Sequence, residues 1–322
     1  MAALCLPYPI PIALTDALDR SVSAELVAVL VAVTQGEPRV LTTEDARALP
    51  AGPFELAHRS LQAGLRAWVE TQTHHPLGYV EQLYTFADSD RSNEAGARVI
   101  SVSYLGLTRE AGATGVAQVG WQHWYRYFPW EDWRAGPPAI IADEIAPRLL
   151  AWAKAGAGAA ARTQRRQRVA LTFGLDGAGW NEDMVLQRYE LLFEAGLVPE
   201  SRHPDASGHP VAGQSMRHDH RRILATGIAR LRAKIKYRPV VFELMPPEFT
   251  LLQLQMAVEA LAGRGLHKQN FRRLIEQQEL VEETGDMASG AAGRPAKLFR
   301  FRRDVLLERA IAGSKLPLAR QF

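Results

Sequence analysis

The stretch His267 to Gln278, HKQNFRRLIEQQ, sets Lys268, Gln269, Asn270, Arg272 and Arg273 close together and leaves Phe271, Leu274 and Ile275 to face a core. On a helix, these polar types can do the chemistry of DNA reading. Lys and Arg neutralise phosphate oxygens, Arg pairs in a plane with guanine, and Gln or Asn pairs with adenine. The charge distribution points the same way. Residues 217 to 309 hold 18 Lys/Arg against 11 Asp/Glu, while the whole chain stands at only +3, so the remainder is slightly acidic. A basic third on such a body suits a single polyanion-binding module, although a solvated basic face would give the same numbers.

The flanking sequence predicts how such a helix is positioned. Pro246-Pro247 stops what precedes it, and Thr250 with Gln253 makes a capping box. Leu251, Leu254, Val258 and Leu261 then form a helical stripe that ends at Gly263 and Gly265. Two helices joined by a short glycine turn, the second of them basic, have the helix-turn-helix layout. After it, strand candidates 280–283 and 296–301 flank a Gly/Ala-rich loop ending in Gly293-Arg294-Pro295. A hairpin in that place is the wing of a winged helix, able to set Arg294 or Lys297 on a DNA backbone or in a minor groove. The candidate DNA-binding residues are Thr250, Lys268, Gln269, Asn270, Arg272, Arg273, Arg294 and Lys297.

The rest of the 322 residues, 47 % hydrophobic and 23 % charged overall, suffices for two or three domains. The longest apolar run, Leu26 to Val33, is too short to cross a bilayer, and Pro7, Pro9 and Pro11 break the beginning of the chain, which has no basic leader. A cytoplasmic protein without membrane contact is expected. Cys5, the single cysteine, excludes an internal disulfide and a cysteine-based zinc site. Ala24 to Val33 and Arg39 to Thr43 read as strands about a Gly/Pro turn, and Leu61, Leu65, Trp68 and Val69 as the apolar face of a helix. Arg98 to Leu107 alternates as a strand, beside which Tyr79 to Arg91 offers Gln82, Tyr84, Thr85 and Phe86.

Trp121 to Trp133 contains four of the seven tryptophans: a ligand-stacking wall, a dimer surface or, most commonly for so dense a cluster, core. Farther on, 137–155 and 181–197 read as helices, 155–161 as an Ala/Gly connector, 168–173 as a short strand and 203–213 as a boundary loop. A helix beginning near Asp219 is expected to connect two domains. His218 and His220 flank Asp219, but no cysteine or second carboxylate cluster stands at ligand spacing, so neither a metal site nor a required cofactor is expected.

Two resemblances sharpen this picture. The run LPAGPFELAHRSLQAGLRAWVETQTHHPL resembles a Nudix box, in which a glycine loop leads into a helix whose glutamates hold divalent metal against a diphosphate. Gly52, Arg66 and Glu70 match that pattern, but Ala67 and Thr71 stand where glutamates belong. Magnesium needs several hard oxygen ligands, and one carboxylate does not supply them, so the resemblance implies the fold without catalytic residues. For Glu70 the alternative is a solvent-facing pair with Arg66, worth roughly 0.3 kcal/mol. Farther along, EQLYTF, Arg91 and RVISVSYL, then LRAKIKY, LMPPEFTLLQLQ, NFRR and GRPAKLFRF, resemble the Nudix-related transcriptional regulators of NAD metabolism.

That resemblance covers residues 22–110 and 217–303, and matches 121–212 poorly. It implies an α+β chain: a Nudix-like α/β/α sandwich over 1–213 with an extra block at about 121–212, a connecting helix at 214–240, and a winged helix-turn-helix domain at 241–322. It further implies a homodimeric repressor of NAD-metabolism genes that binds palindromic double-stranded DNA and releases it when ADP-ribose or a related nucleotide occupies the first domain. Arg66, Glu70, Gln82, Phe86 and Arg91 are the effector-binding candidates. The rivals are an ADP-ribose pyrophosphohydrolase and a sugar-responsive regulator of the same architecture.

Overall fold

The computed structural model describes residues 22–75, 77–87, 98–110, 116–205, 207–288, 295–302 and 304. β1 (Val22–Thr34) is a 13-residue strand whose middle is buried on both faces, which its Val/Leu/Ala run requires. It pairs antiparallel with β2 (Glu37–Thr42) and β3 (Ala51–Pro53), and parallel with β5 (Arg98–Leu107). With β4 (Tyr79–Phe86) outside β5 and β6 (Gly120–His123) outside β2, the order is β4-β5-β1-β2-β6, with β3 attached to β1.

Alternation along β1 divides the core in two. Leu26, Ala28 and Leu30 pack with Leu65 and Val69 of α1 (Leu61–Thr73), which Ser60 caps by accepting the Ala63 N–H. Val27, Val29 and Val31 face the opposite way into the larger core. There α5 (His220–Ile235) lies against the sheet so closely that a Cβ on Gly227 would come within 2.9 Å of the Val29 side chain. The segment expected to connect two domains is thus a sheet-covering helix, with Ile223, Leu224, Ile228 and Leu231 fully buried.

Between β6 and α5 comes the block with the poor family match. Its aromatics are core: Trp124, Tyr127, Phe128 and Trp130 have no exposed surface. α2 (Ala146–Lys154) follows a π turn at Ile141–Ile145, and Ile141, Ile145 and Leu149 point inward as their spacing predicts. α3 (Gly158–Phe173) corrects two expectations, since it includes most of the Ala/Gly run and the whole of the expected strand 168–173. Val169, Thr172 and Phe173 are its buried residues, at helical spacing, and the β-branched look of VALTF conceals that period. α4 (Val185–Glu194) completes the block, and the described residues of 203–213 carry no regular element.

In the last part, α6 (Leu251–Ala262) and α7 (Lys268–Gln277) form the helix-turn-helix. β7 (Val281–Met287) and β8 (Lys297–Phe301) form the hairpin. Phe249 bridges to Phe299 as a short third strand, and Phe242 stacks on Phe301 with ring centres 4.2 Å apart. The molecule is an α+β chain, a mixed sheet with helices on both faces followed by a helix-turn-helix and a two-stranded wing.

Candidate nucleic-acid interface

α6 begins as its sequence dictates. Thr250 Oγ1 accepts the Gln253 N–H at 3.2 Å, and Gln253 Oε1 accepts the Thr250 N–H at 2.8 Å, so two otherwise orphan donors of the first turn are satisfied. The Thr250 hydroxyl, expected to face DNA, is committed to this cap. Replacing Thr250 by Ala is therefore expected to lower stability by about 1 kcal/mol in urea unfolding. A loss within experimental error would deny the cap that role.

The turn between the helices is held from inside. Glu259 Oε1 accepts the Leu266 N–H at 2.8 Å, and Gln255 Nε2 donates to Leu266 O at 3.0 Å. Gly263 ends α6 in the left-handed region at φ 71°, and a Cβ there would meet the Glu131 carbonyl and the Arg232 guanidinium, each at 2.5 Å. Only glycine fits that corner.

α7 then offers a polar face. Phe271 and Ile275 are buried, while Lys268, Gln269, Asn270, Arg272 and Arg273 are all exposed. Leu274, expected inward, is 51 % exposed: it follows Arg273 by 100° around the helix and falls at the edge of the stripe that Phe271 and Ile275 define. Among the described residues, no carboxylate pairs with Lys268, Arg272 or Arg273, and no acid occurs between Glu259 and Glu276. The helix starts at His267 without a side-chain cap, so its first N–H groups and its dipole favour an anion there as well. On the wing, Lys297 Nζ sits 2.9 Å from Glu283 and Arg300 Nε 2.6 Å from Glu282, each pair solvent-exposed. Such pairs are worth at most about 1 kcal/mol, so Lys297 can exchange its partner for a phosphate. Arg294 lies outside the described residues.

The interface is anchored to the body by a feature absent from the sequence-based expectations. Glu131, Arg188 and Arg232 are each at most 1 % exposed. Glu131 Oε2 accepts from Arg188 Nη2 at 2.8 Å and from Arg232 Nη1 at 2.6 Å. Arg188 also donates to Thr172 O and Asn181 O, with its guanidinium 3.8 Å from the Trp180 ring centre. Arg232 Nε donates to Leu261 O at 3.0 Å, Tyr125 Oη to Ala260 O at 2.7 Å, and the Trp133 N–H to Gly263 O at 2.7 Å. Two C-terminal carbonyls of α6 and that of its capping Gly263, just ahead of the α7 turn, are thus held by the body. Burial pushes the Tyr125 hydroxyl pKa up, which keeps it a donor. Nearby, Arg134 joins Asp132 to Glu37 and to Gly36 O at the β1–β2 turn. Burial works against the charge on Glu37, but hydrogen bonds from Arg134 and His123 hold its pKa below the usual range. At Asp132, Arg134 likewise outweighs burial.

The described effector candidates lie on two sides of the sheet. Arg66 donates through Nη1 to Leu77 O and through Nη2 to Gly78 O at 3.0 Å, fixing the approach to β4, while Ala67, Glu70 and Thr71 are exposed. Gln82 pairs in register with Tyr104, on the α1 side of the sheet. Phe86 pairs with Ser101 on the opposite side, 3 % exposed, with the Arg222 guanidinium 5.3 Å from its ring centre. A bulge between Gln82 and Thr85 flips the alternation, and its cost to the expectation is that Phe86 is a core residue with a cation on its face. Arg91 lies outside the described residues. His220 Nδ1 accepts the Leu49 N–H at 2.9 Å, and among the described residues no group of three or more His, Cys, Asp or Glu could hold a metal ion.

Residues 241–301 match the NrtR DNA-binding winged helix domain. The C-terminal module is an NrtR-like winged helix. The ADPR responsive transcriptional repressor NtrR of Acinetobacter baylyi is 43 % identical over 130 residues, 39 % of this chain and 51 % of the relative, so the chain matches about half the length of that curated protein. The crystal structure of Shewanella oneidensis NrtR complexed with a 27mer DNA superposes with a TM-score of 0.52 at 20 % identity, over 88 % of this chain and 94 % of that one. A second crystal structure of the same protein gives 0.51 at 19 % identity, over 88 % and 95 %. At that identity the likeness shows the fold, here a sandwich domain and a winged helix in NrtR-like order. No helix among the described residues is long and apolar enough to cross a membrane.

Proposed function

We propose that this chain is a ligand-responsive, DNA-binding transcriptional regulator, a cytoplasmic repressor of NAD-metabolism genes relieved by ADP-ribose or a related nucleotide. The observation that carries this reading is the exposed face of α7, where Lys268, Arg272 and Arg273 stand without carboxylate partners among the described residues, in a segment matching an NrtR DNA-binding domain. The NtrR relative, described as ADPR responsive, supports the effector class. The protein acts as a homodimer on a palindromic operator, each winged helix reading a half-site. Effector shifts the population toward an arrangement in which the two recognition helices no longer match that spacing, which requires only unequal affinity for the two states. The Nudix-like domain serves as a sensor, not an enzyme: Glu70 is the one glutamate at the box positions, and no cofactor is required.

Two assays test this. Added ADP-ribose is expected to release the protein from DNA of its own promoter in a mobility-shift experiment; unaltered binding at saturating ADP-ribose would remove that effector. Incubation with ADP-ribose and magnesium or manganese is expected to yield no AMP above the uncatalysed background. Turnover abolished by Glu70→Gln would establish the pyrophosphohydrolase instead.

A further inference from the structure

The helical block between Trp133 and α5 contains a charge arrangement that the DNA-reading and sensing functions leave unused. No acid occurs between Glu144 and Asp176, while that stretch carries Arg148, Lys154, Arg162, Arg165, Arg166 and Arg168. Three of these cations converge: Lys154 of α2 with Arg162 and Arg166 of α3 line an open cavity of about 200 Å³, together with Thr163, Leu150 and Ala153. Their neighbours are otherwise engaged. Arg165 lies over the Trp152 ring at 4.2 Å, Arg168 pairs with Glu194, and Arg148 with Glu144 and Asp205. Within the cavity, Arg166 has only an exposed contact with Asp176 at 3.2 Å, and Lys154 and Arg162 have no carboxylate partner among the described residues.

The fold gains nothing from the pairing of Arg162 with Arg166. Arg162 and Arg166 are like charges at i,i+4, which destabilises a helix. α3 has no acid in its first turn and no side-chain cap at Ala157, so the positive end of its dipole is left uncompensated. Its buried residues are Val169, Thr172 and Phe173, so Arg162 and Arg166 take no part in its buried face. Local choices that oppose the fold mark functional positions. A multiply charged anion would reverse each of these costs, and guanidinium forks suit phosphate oxygens.

We propose that Lys154, Arg162, Arg166 and Thr163 form a second anion site, which takes a phosphoryl group from either a free phosphorylated ligand or a DNA backbone. The full-length chain is tested by calorimetry with inorganic pyrophosphate, and by the salt dependence of its binding to a random-sequence duplex. Both are repeated on Arg162→Gln/Arg166→Gln, with Arg168→Gln as the control outside the cavity. If the source is a free ligand, pyrophosphate binds, the double variant weakens it by about tenfold or more per arginine, the control binds normally, and the duplex salt slope is unchanged. If the source is DNA, pyrophosphate binds poorly and the double variant lowers the slope by about two. Either result supports the site. Equal pyrophosphate binding in both proteins, or none at all, together with an unchanged slope would reduce the cluster to solvated surface and overturn it. Failure here leaves the α7 interface untouched, because no residue is shared.

Discussion

Replacing Glu131 by Gln should cost about 3–5 kcal/mol of stability, the effect of removing one partner from a buried ion pair. This case is severe because one carboxylate serves two arginines without exposed surface, and Gln can accept through one oxygen only while directing an N–H toward a guanidinium. Neither arginine can turn to water: Arg188 is fixed by Thr172 O, Asn181 O and the Trp180 ring, and Arg232 by Leu261 O and Glu182 O. A domain is stable by only about 5–15 kcal/mol, so the variant should be near the margin at ordinary temperature. Trp180 stacks on Trp133 at 4.2 Å beside the cluster, so tryptophan fluorescence reports its state during urea unfolding. A midpoint indistinguishable from wild type would show that the cluster is not dry. Glu131→Leu combined with Arg188→Met and Arg232→Met should not recover the loss, because the carbonyls of Thr172, Asn181, Leu261 and Glu182 would then lose their donors.

Substituting Arg272 and Arg273 by Ala should abolish operator recognition while leaving the fold alone. Each side chain can make contacts worth about 1–3 kcal/mol, so the pair should weaken binding by roughly a hundredfold or more. Both are exposed and without ion-pair partners among the described residues, so the unfolding midpoint should move by less than about 0.5 kcal/mol. Fluorescence anisotropy on promoter DNA measures the first quantity and circular dichroism the second. Undiminished affinity in a folded double variant would mean that α7 does not read DNA. If the two arginines contact phosphates and not bases, the loss will be similar on all sequences and the salt slope will fall by about one for each.

The parts legible in the sequence were those written locally. The Thr250–Gln253 cap, the glycine at the end of α6 and the buried stripe of β1 each depend on neighbours within a few residues, and the structure has them as expected. Position across the sheet was not legible. Gln82 and Phe86 are an even number of residues apart and would share a face in a regular strand, but the bulge between them puts Phe86 in the core under Arg222. α3 was misread for a different reason. Its inward residues are so few that its period is hidden behind a β-branched ending, and only packing against α2 and α4 defines it. The Glu131 cluster joins residues 57 and 101 positions apart, and no spacing rule reaches that far. The tryptophans around it were the available signal, since aromatics so dense imply something large and buried among them.

The grip of Tyr125, Trp133 and Arg232 on the last carbonyls of α6 has a mechanical meaning. A reading head bolted to its body at that point has no swivel. A signal arriving in the sandwich cannot tilt α7 by itself without breaking buried bonds. In the homodimer proposed above it would turn the whole protomer as a rigid lever, and the gauge between two reading heads would be set where the two chains meet.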